Sequence, residues 1–506
     1  MEVVSFLARQ LKVQPRAFQF AGTKDRRAVT VQRVSAHKVQ AERMQQVGRT
    51  LRQAKIGNYE YSPHGLELGE LTGNEFTVTL RDCQFQDTAV DEIGDPIIVA
   101  SKIVESAAKH LSERGFINYY GLQRFGTFST RTDTIGLKML KGDFKGAAEA
   151  ILDYNEASLA AAQDPNAVKD RVSLDDRLRA KALHEFKTSG RMYPAIDDLP
   201  RKFSAEASLI RHLGARGNSN DYLGALQAIP RNLRLMYVHA YQSLVWNVVA
   251  SERWKLHGAQ VLTGDLVLID EHKEKVEGSG AAESIDADGE IIVQPAADDS
   301  AINPEDRFTR ARALSQEEAQ SGRYTIFDIV LPTPGYDVLY PGNELAEFYR
   351  SFMASEPGGG LDPNDMRRQW KDVSLSGSYR KLVVKPYQDI TFEVRSYTHD
   401  DEQFVETDVE KMEKWSNGAN GHRVVEKEEE RDNATVKKEE DGATVRQEDN
   451  SAAEQEQEQK ETAKEKKLAV ILKLQLGSSQ YATMALRELM KLGGVKTYKP
   501  DFGGGR

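Results

Sequence analysis

A long polar tract near the C-terminal end limits the folds open to this chain of 506 residues. Residues 401–467 are rich in Glu, Gln, Lys and Asn and hold few large apolar side chains, a composition typical of disorder. A strand is predicted to follow from Leu468 to Leu476, and a turn at 477–479 leads into a helix predicted from Ala482 to Lys491. Folded elements after such a tract indicate that it is a loop inserted into one fold.

The net charge of −10 comes from two acidic segments. Residues 401–467 hold 21 acidic and 12 basic residues, and residues 271–300, which read as a solvated insertion, hold 9 acidic and 2 basic residues. The other 409 residues carry a net charge of +6. Because a local basic surface decides phosphate binding, this mildly basic body permits RNA binding without demonstrating it.

The apolar pattern predicts an α+β protein. Helices are predicted at 1–13, at 98–115 and over most of 128–260, where the best segment runs from Arg231 to Val249. Strands are predicted at Arg27–Val34 and Glu75–Arg81, and further extended segments at Leu382–Val384 and Ile390–Val394.

Several kinds of site and location find no support in the sequence. The single cysteine, Cys83, rules out an intramolecular disulfide and a multi-cysteine zinc site, and the histidines lack metal-ligand spacing. No Walker loop or dinucleotide fingerprint occurs, and no apolar run of about 18 residues or secretory signal is found. We expect an intracellular monomer of the nucleus or cytoplasm that binds no membrane and needs no metal or cofactor.

The densest functional signal lies between Gly22 and Gln32. A glycine-initiated turn is followed by Lys24, Asp25, two arginines and a predicted strand. The cations would hold backbone phosphates while the Asp25 carboxylate points at a sugar or base. The charges and spacing alone are equally typical of a surface turn with ordinary ion pairs, so the pattern leaves both interpretations open.

The same segment fits the signature G-x-K-D-x-x-A-x-T-x-Q at every fixed position, and it resembles the TruD-type pseudouridine synthases. Six further stretches resemble this family in the same order along the chain. They are Gly73–Phe76 with Leu80–Arg81, Asn118–Gly126, Met236–Ser243 with Trp246–Asn247, Leu331–Gly335, Ser378–Lys381 and Tyr481–Glu488. The resemblance runs almost from end to end, and the two acidic inserts are similar to those of the eukaryotic branch.

The resemblance implies a role for individual residues. Asp25 matches the catalytic aspartate, Asn74 and Phe76 match residues that line the uridine pocket, and Tyr481 falls where the family places an aromatic ring. An aromatic face would replace the stacking that a flipped uracil loses. Each aromatic residue also has a structural interpretation, since Phe76 shares a strand face with Val78 and Leu80 and would pack in a core.

Two basic residues complete the predicted site. Lys24 adjoins Asp25 and would hold a phosphate. Arg124, beside Phe125 and Gly126, would bind phosphate or pair with a carboxylate near Asp25, although isolated arginines mostly make structural ion pairs.

The resemblance also implies the fold and the reaction. The pseudouridine synthase fold is a mixed, largely antiparallel sheet with helices, here comprising residues 1–127 and 374–506, interrupted by a mostly helical TRUD insertion domain at 128–373. RNA would lie in the cleft between them, where Asp25, Phe76 and Tyr481 would converge. The family cleaves the N1–C1′ bond of uridine and rejoins the uracil through C5, in transfer RNA at position 13 and also in small nuclear and messenger RNAs. Asp25 would add to C1′ or abstract a sugar proton.

The chain departs from the family pattern at its N-terminus. The family begins with a strand-rich segment carrying a lysine motif, whereas the aspartate motif arrives here by residue 25, so we expect a chain without that segment. Two other functions stay open: a non-catalytic RNA-binding paralogue, and a scaffold that recruits partners through its acidic inserts.

Overall fold

The computed structural model describes residues 2–491 except 26–27, 52–53, 68–69, 86–94, 127–129, 165–171, 270–282, 286–290, 294–310, 413 and 415–465. The chain divides into two compact units, each assembled from distant segments. The first unit comprises Met1–Glu67, Glu75–Lys109 and Gln388–Gln475, and the second comprises Leu68–Asn74, His110–Tyr387 and Leu476–Arg506. This division by packing does not test the predicted catalytic and insertion domains, whose boundaries stay a prediction.

Helices and short strands alternate along the chain. The helices are α1 Glu2–Leu11, α2 Ala41–Gly48, α3 Pro96–Arg114, α4 Thr132–Leu140, α5 Phe144–Ile151, α6 Glu156–Gln163, α7 Leu174–Ser189, α8 Met192–Asp198, α9 Ser204–Leu213, α10 Tyr222–Ala228, α11 Arg231–His257, α12 Gln316–Gln320, α13 Glu344–Ala354 and α14 Ala482–Met490. The strands are β1 Phe18–Gln19, β2 Ser35–Ala36, β3 Gly73–Leu80, β4 Phe116–Ile117, β5 Leu266–Leu268, β6 Glu283–Ile285, β7 Ile291–Val293, β8 Ala311–Ala313, β9 Ile329–Thr333, β10 Ser378–Lys381, β11 Val383–Val384, β12 Thr391–Tyr397 and β13 Lys467–Gly477. In the described part of the chain, no helix is both long enough and apolar enough to cross a membrane.

The first unit contains a small helical core and a three-stranded sheet. One face of α1 is apolar at helical spacing, and it buries Val4, Leu7 and Leu11 with Phe18. The strand order of the sheet is β12-β13-β3, and β12 and β13 pair antiparallel from Thr391↔Lys473 to Tyr397↔Lys467. The strands predicted after the acidic tract and at Glu75–Arg81 are therefore confirmed as β13 and β3.

The strand predicted at Arg27–Val34 is wrong over its described residues, 28–34, which form neither helix nor strand. Val29 and Val31 are 66% and 72% exposed. The hairpin around them has only two paired positions, Phe18↔Ala36 and Gln19↔Ser35. An alternating pattern forms a strand only where a neighbouring strand and a core receive it, and these residues lie beyond the last paired position of the hairpin.

The disorder predicted for 401–467 is wrong at both ends of that range. Phe404 is buried against Tyr397, with ring centroids 5.4 Å apart, and residues 408–412 are helical. Lys467 already belongs to β13. Residues 413 and 415–465 lie outside the described residues. In the other predicted insertion, at 271–300, β6 and β7 pair antiparallel, whereas residues 271–282, 286–290 and 294–300 lie outside the described residues.

In the second unit, the long helix α11 packs against α4, α10 and α13. Gly136 of α4 faces the backbone carbonyl of Tyr237, where any Cβ would clash, so α4 and α11 approach at backbone contact. Trp246 of α11 is fully buried and donates its indole N–H to the Leu331 carbonyl at 3.1 Å. This contact joins α11 to β9, the second strand of a sheet with the order β10-β9-β5-β8.

A shorter pair of strands positions the segment that follows β4. β11 pairs antiparallel with β4, and the Asn118 N–H donates to the Leu382 carbonyl at 2.9 Å. Residues 118–121 therefore lie beside the chain that connects β10 to β11. The mixture of helices and antiparallel strands agrees with the predicted α+β class.

Candidate active site

Asp25 lies on the loop between β1 and β2. Its side chain is exposed, whereas Gly22 is buried and Lys24 is half-buried. Burial lowers the pKa of Lys24, and attraction to the Asp25 carboxylate opposes this shift. The loop therefore presents a carboxylate to solvent next to a partly desolvated cation. Arg26 and Arg27, which belong to the same motif, lie outside the described residues.

Asn74 and Phe76 lie on one face of β3, because side chains alternate along a strand. Both residues are half-buried. Between them Glu75 is exposed and contacts β13, where its carboxylate accepts from Gln475 at 2.8 Å and pairs with Lys473 at 3.1 Å. The Phe76 position suits a packing residue and a pocket residue equally, so its role stays a prediction.

Tyr481 is the N-cap residue of α14, is half-buried and packs against the core of the second unit. Its ring centroid lies 6.4 Å from that of Tyr120. A Cβ added to Gly121 would lie 2.6 Å from Cδ1 of Tyr481, so the ring rests directly on the backbone of Gly121. Arg124 is buried in a 3-10 turn at Leu122–Phe125, and its guanidinium carbon lies 5.9 Å from the centroid of Tyr120.

The structure thus brings Arg124 and Tyr481 together around Tyr120. Asp25, Lys24 and Phe76 belong to the first unit, and Asn74, Arg124 and Tyr481 belong to the second. The convergence of Asp25, Phe76 and Tyr481 on one cleft stays a prediction.

Four residues that contact Tyr481 or one of its neighbours received no role from the sequence, namely Asn118, Tyr120, Asn247 and Arg380. Arg380 donates to the backbone carbonyl and the side-chain oxygen of Asn118, at 2.7 and 2.8 Å. Asn247 accepts from the N–H of Tyr120 at 2.9 Å and donates to its carbonyl at 3.1 Å. The signal that points to them is their position in stretches that resemble the family, Asn118–Gly126, Trp246–Asn247 and Ser378–Lys381. Within the described ranges, no group of three or more His, Cys, Asp or Glu side chains is placed to hold a metal ion.

Comparison with known proteins identifies the family. A family model described as tRNA pseudouridine synthase D (TruD) matches residues 1–410. Because this match covers most of the chain, the chain belongs to the TruD family, and the resemblance drawn from its motifs is confirmed.

Individual relatives agree with this assignment. The chain is 35% identical over 497 residues to multisubstrate pseudouridine synthase 7 of Schizosaccharomyces pombe, an alignment covering 97% of this chain and 60% of that protein. It is 32% identical over 413 residues to the pseudouridylate synthase 7 homolog of Homo sapiens, covering 82% of this chain and 51% of that protein. The chain therefore spans between about half and three-fifths of the length of these relatives.

A solved structure shows the fold. A crystal structure from Methanosarcina mazei that bears the name tRNA pseudouridine synthase D (TruD) matches with a TM-score of 0.52 and 18% identity, over 97% of this chain and 85% of that chain. The predicted fold class, a mixed helix and antiparallel-sheet protein like TruD, is confirmed.

Proposed function

We propose that this chain is an RNA pseudouridine synthase, an isomerase that converts uridine into pseudouridine with Asp25 as its catalytic carboxylate. The observation that carries the proposal is the aspartate motif of a TruD family member, displayed on the loop between β1 and β2 with the Asp25 side chain exposed. The name of the matching family points to transfer RNA as the first substrate. Position 13 is proposed as its target uridine because the motifs resemble those of TruD-type enzymes. The name multisubstrate, carried by the Schizosaccharomyces pombe relative, supports more than one substrate, and we propose small nuclear and messenger RNAs as the further ones.

The reaction requires the protein to position the uridine and to supply one carboxylate. The N1–C1′ bond breaks, the uracil turns, and a C5–C1′ bond forms while C5 loses a proton and N1 gains one, with no net redox change or hydrolysis. Asp25 would add to C1′ or abstract a sugar proton. Because Asp25 is exposed, the bound RNA itself must shield the reacting atoms from water.

The other predicted residues would hold the RNA and the base. Half-buried Lys24 would hold a phosphate next to the reacting nucleotide. Asn74 and Phe76, on one face of β3, and the ring of Tyr481 would line the pocket for the flipped uracil. Arg124 is buried beside Tyr120, which favours support of the pocket wall over direct phosphate binding.

The experiment that tests the proposal measures pseudouridine at position 13 of an unmodified transfer RNA. We expect the chain to form it and Asp25→Asn to be slower by more than about a thousandfold, as for loss of a group that makes or breaks bonds. The matched control is Asp389→Asn, which removes another exposed carboxylate of the first unit and should retain full activity.

Two results would contradict the proposal. Equal rates for the chain and Asp25→Asn would remove Asp25 from the chemistry. A chain that binds the RNA tightly but forms no pseudouridine would support the non-catalytic RNA-binding function instead.

A further inference from the structure

Arg380 lies on strand β10, and its side chain is buried in the second unit. The residue is 7% exposed. Its guanidinium donates from Nε to the backbone carbonyl of Asn118 and from Nη2 to the Asn118 side chain. Two donors of one planar group thus fix a residue that is 262 positions away in sequence.

The same guanidinium is surrounded by aromatic rings. Its central carbon lies 4.2 Å from the ring centroid of Tyr120, 5.6 Å from that of Trp246 and 5.8 Å from that of Tyr481. These distances fall within the range of cation–π attraction, which is strongest where water is excluded. Tyr120 also meets Trp246 edge to face, with ring centroids 5.7 Å apart.

The Tyr481 ring therefore has three close neighbours. It rests on the backbone of Gly121, and the Tyr120 ring and the Arg380 guanidinium lie 6.4 and 5.8 Å from its centroid. The backbone on which the ring rests is itself held, because Asn247 binds both the N–H and the carbonyl of Tyr120. One conformation of Tyr481 is consequently favoured before any RNA binds.

We propose that Arg380 is a positioning residue that fixes the Tyr481 ring for stacking on the flipped uracil. This inference rests on the proposed function, in which Tyr481 lines the uridine pocket. A ring that is already oriented loses less conformational freedom when the base arrives, so binding and transition-state stabilisation improve without a new contact to the substrate. Lysine would keep the charge of Arg380 but lose the planar pair of donors that holds Asn118.

The first measurement is a pair of crystal structures, of the chain and of Arg380→Met. Methionine retains much of the side-chain length but carries neither charge nor donors. We expect the Tyr481 ring to leave its position against Tyr120 and Gly121 in the variant. A ring that stays in place overturns the inference, and this result does not depend on whether the chain forms pseudouridine.

The second measurement is a kinetic cycle on transfer RNA with Arg380→Met, Tyr481→Ala and the double variant. Because phosphate contacts dominate RNA affinity, we expect Arg380→Met to lower kcat about tenfold and to change KM less than about twofold. In the Tyr481→Ala background, the same substitution should lower kcat by less than about twofold, since the ring that it positions is gone. Arg380→Lys should fall between the chain and Arg380→Met.

The matched control is Arg179→Met in the helical part of the second unit. Arg179 is 6% exposed, donates to Glu206 and to the carbonyls of Ile151 and Asp153, and lies over the ring of Phe203. Its loss should lower thermal stability while kcat per folded molecule stays unchanged. An equal fall in kcat for Arg380→Met with and without Tyr481 would overturn the inference, because a purely structural arginine acts in both backgrounds. Absence of pseudouridine with the chain and with every variant, together with a displaced ring in the crystal of Arg380→Met, would instead refute the proposed function alone.

Discussion

The loop that carries Asp25 and the surroundings of Tyr481 show opposite ways of presenting a functional side chain. Asp25 is exposed, on a loop between strands of two residues each. Tyr481 is half-buried and contacts Tyr120, Gly121 and Arg380, which come from two distant segments. The backbone next to Gly121 is fixed by Asn247 and Arg380. The contrast fits the two tasks that we propose for them. A carboxylate that reacts with a sugar must be reachable, whereas a ring that replaces base stacking works best when it is held still.

The largest effect is expected where a buried charge loses its partner. Arg253 and Asp265 in the second unit are both fully buried and pair at 2.8 Å, and Asp265 also accepts from Leu262 N–H and Asn343. Asp265→Ala would leave the Arg253 charge buried, so we expect the free energy of unfolding to fall by about 3–5 kcal/mol. Denaturant unfolding followed by tryptophan fluorescence measures it, because Trp246, Trp254 and Trp370 lie in this unit.

The matched control for this prediction is an exposed pair of the first unit. Glu393→Gln breaks the bidentate contact with Arg395, whose distances are 2.6 and 2.9 Å, and it should leave the free energy of unfolding unchanged within error. A comparable loss from both substitutions would contradict the contrast between buried and exposed polar contacts.

A smaller effect, confined to activity, is expected from Gly121→Ala. The backbone of Gly121 is extended, at φ −64° and ψ 153°, so alanine meets no backbone strain there, but its Cβ would lie 2.6 Å from the Tyr481 ring. The ring must move, and we expect kcat/KM for pseudouridine formation to fall about tenfold, which corresponds to roughly 1.4 kcal/mol. Gly57→Ala adds a Cβ where no atom lies within 4 Å and should be silent. Full activity of Gly121→Ala would show that the ring position does not matter.

The smallest effect concerns Glu75, which separates Asn74 from Phe76 on β3. The hydrogen bond from Gln475 and then that from Lys473 lower the pKa of Glu75. A lowered pKa in the folded state stabilises the protein fully above the ordinary glutamate value, about 4.3, and this contribution disappears as the pH falls through the lowered value. Because the pair is solvent-exposed, the stability difference between the chain and Glu75→Gln should stay below about 1 kcal/mol at pH 7 and vanish in acid. Pseudouridine formation at neutral pH should not change, and a difference in stability that grows in acid would contradict the assignment.

Many of the helices and strands could be predicted, because the spacing of apolar residues indicates which side chains are buried. The helix predicted from Arg231 to Val249 exists, yet α11 continues to His257. The apolar stripe misses this last part because its buried residues are only the small Ala250 and Arg253, whose partner Asp265 becomes visible only in the fold. The strand predicted at Arg27–Val34 failed for the converse reason. Alternation was present there, but β1 and β2 pair only at Phe18↔Ala36 and Gln19↔Ser35.

The residues of the candidate site also differ in whether the sequence alone could reveal them. Asp25 could be recognised from a short motif, since its neighbours in sequence define it. The support around Tyr481 could not, because Arg380 contacts Asn118 across 262 residues and an arginine in a short strand resembles a solvent-facing residue. The sequence signal for a functional role of this segment was that Ser378–Lys381 resembles a stretch of the family.

The most direct test of the account measures single-turnover pseudouridine formation and RNA affinity on the same preparations of the chain, Asp25→Asn and Tyr481→Ala. We expect Asp25→Asn to bind transfer RNA at least as tightly as the chain but to form essentially no product. We expect Tyr481→Ala to form product still, at a reduced rate. Product formation by Asp25→Asn at the rate of the unaltered chain would contradict the central claim.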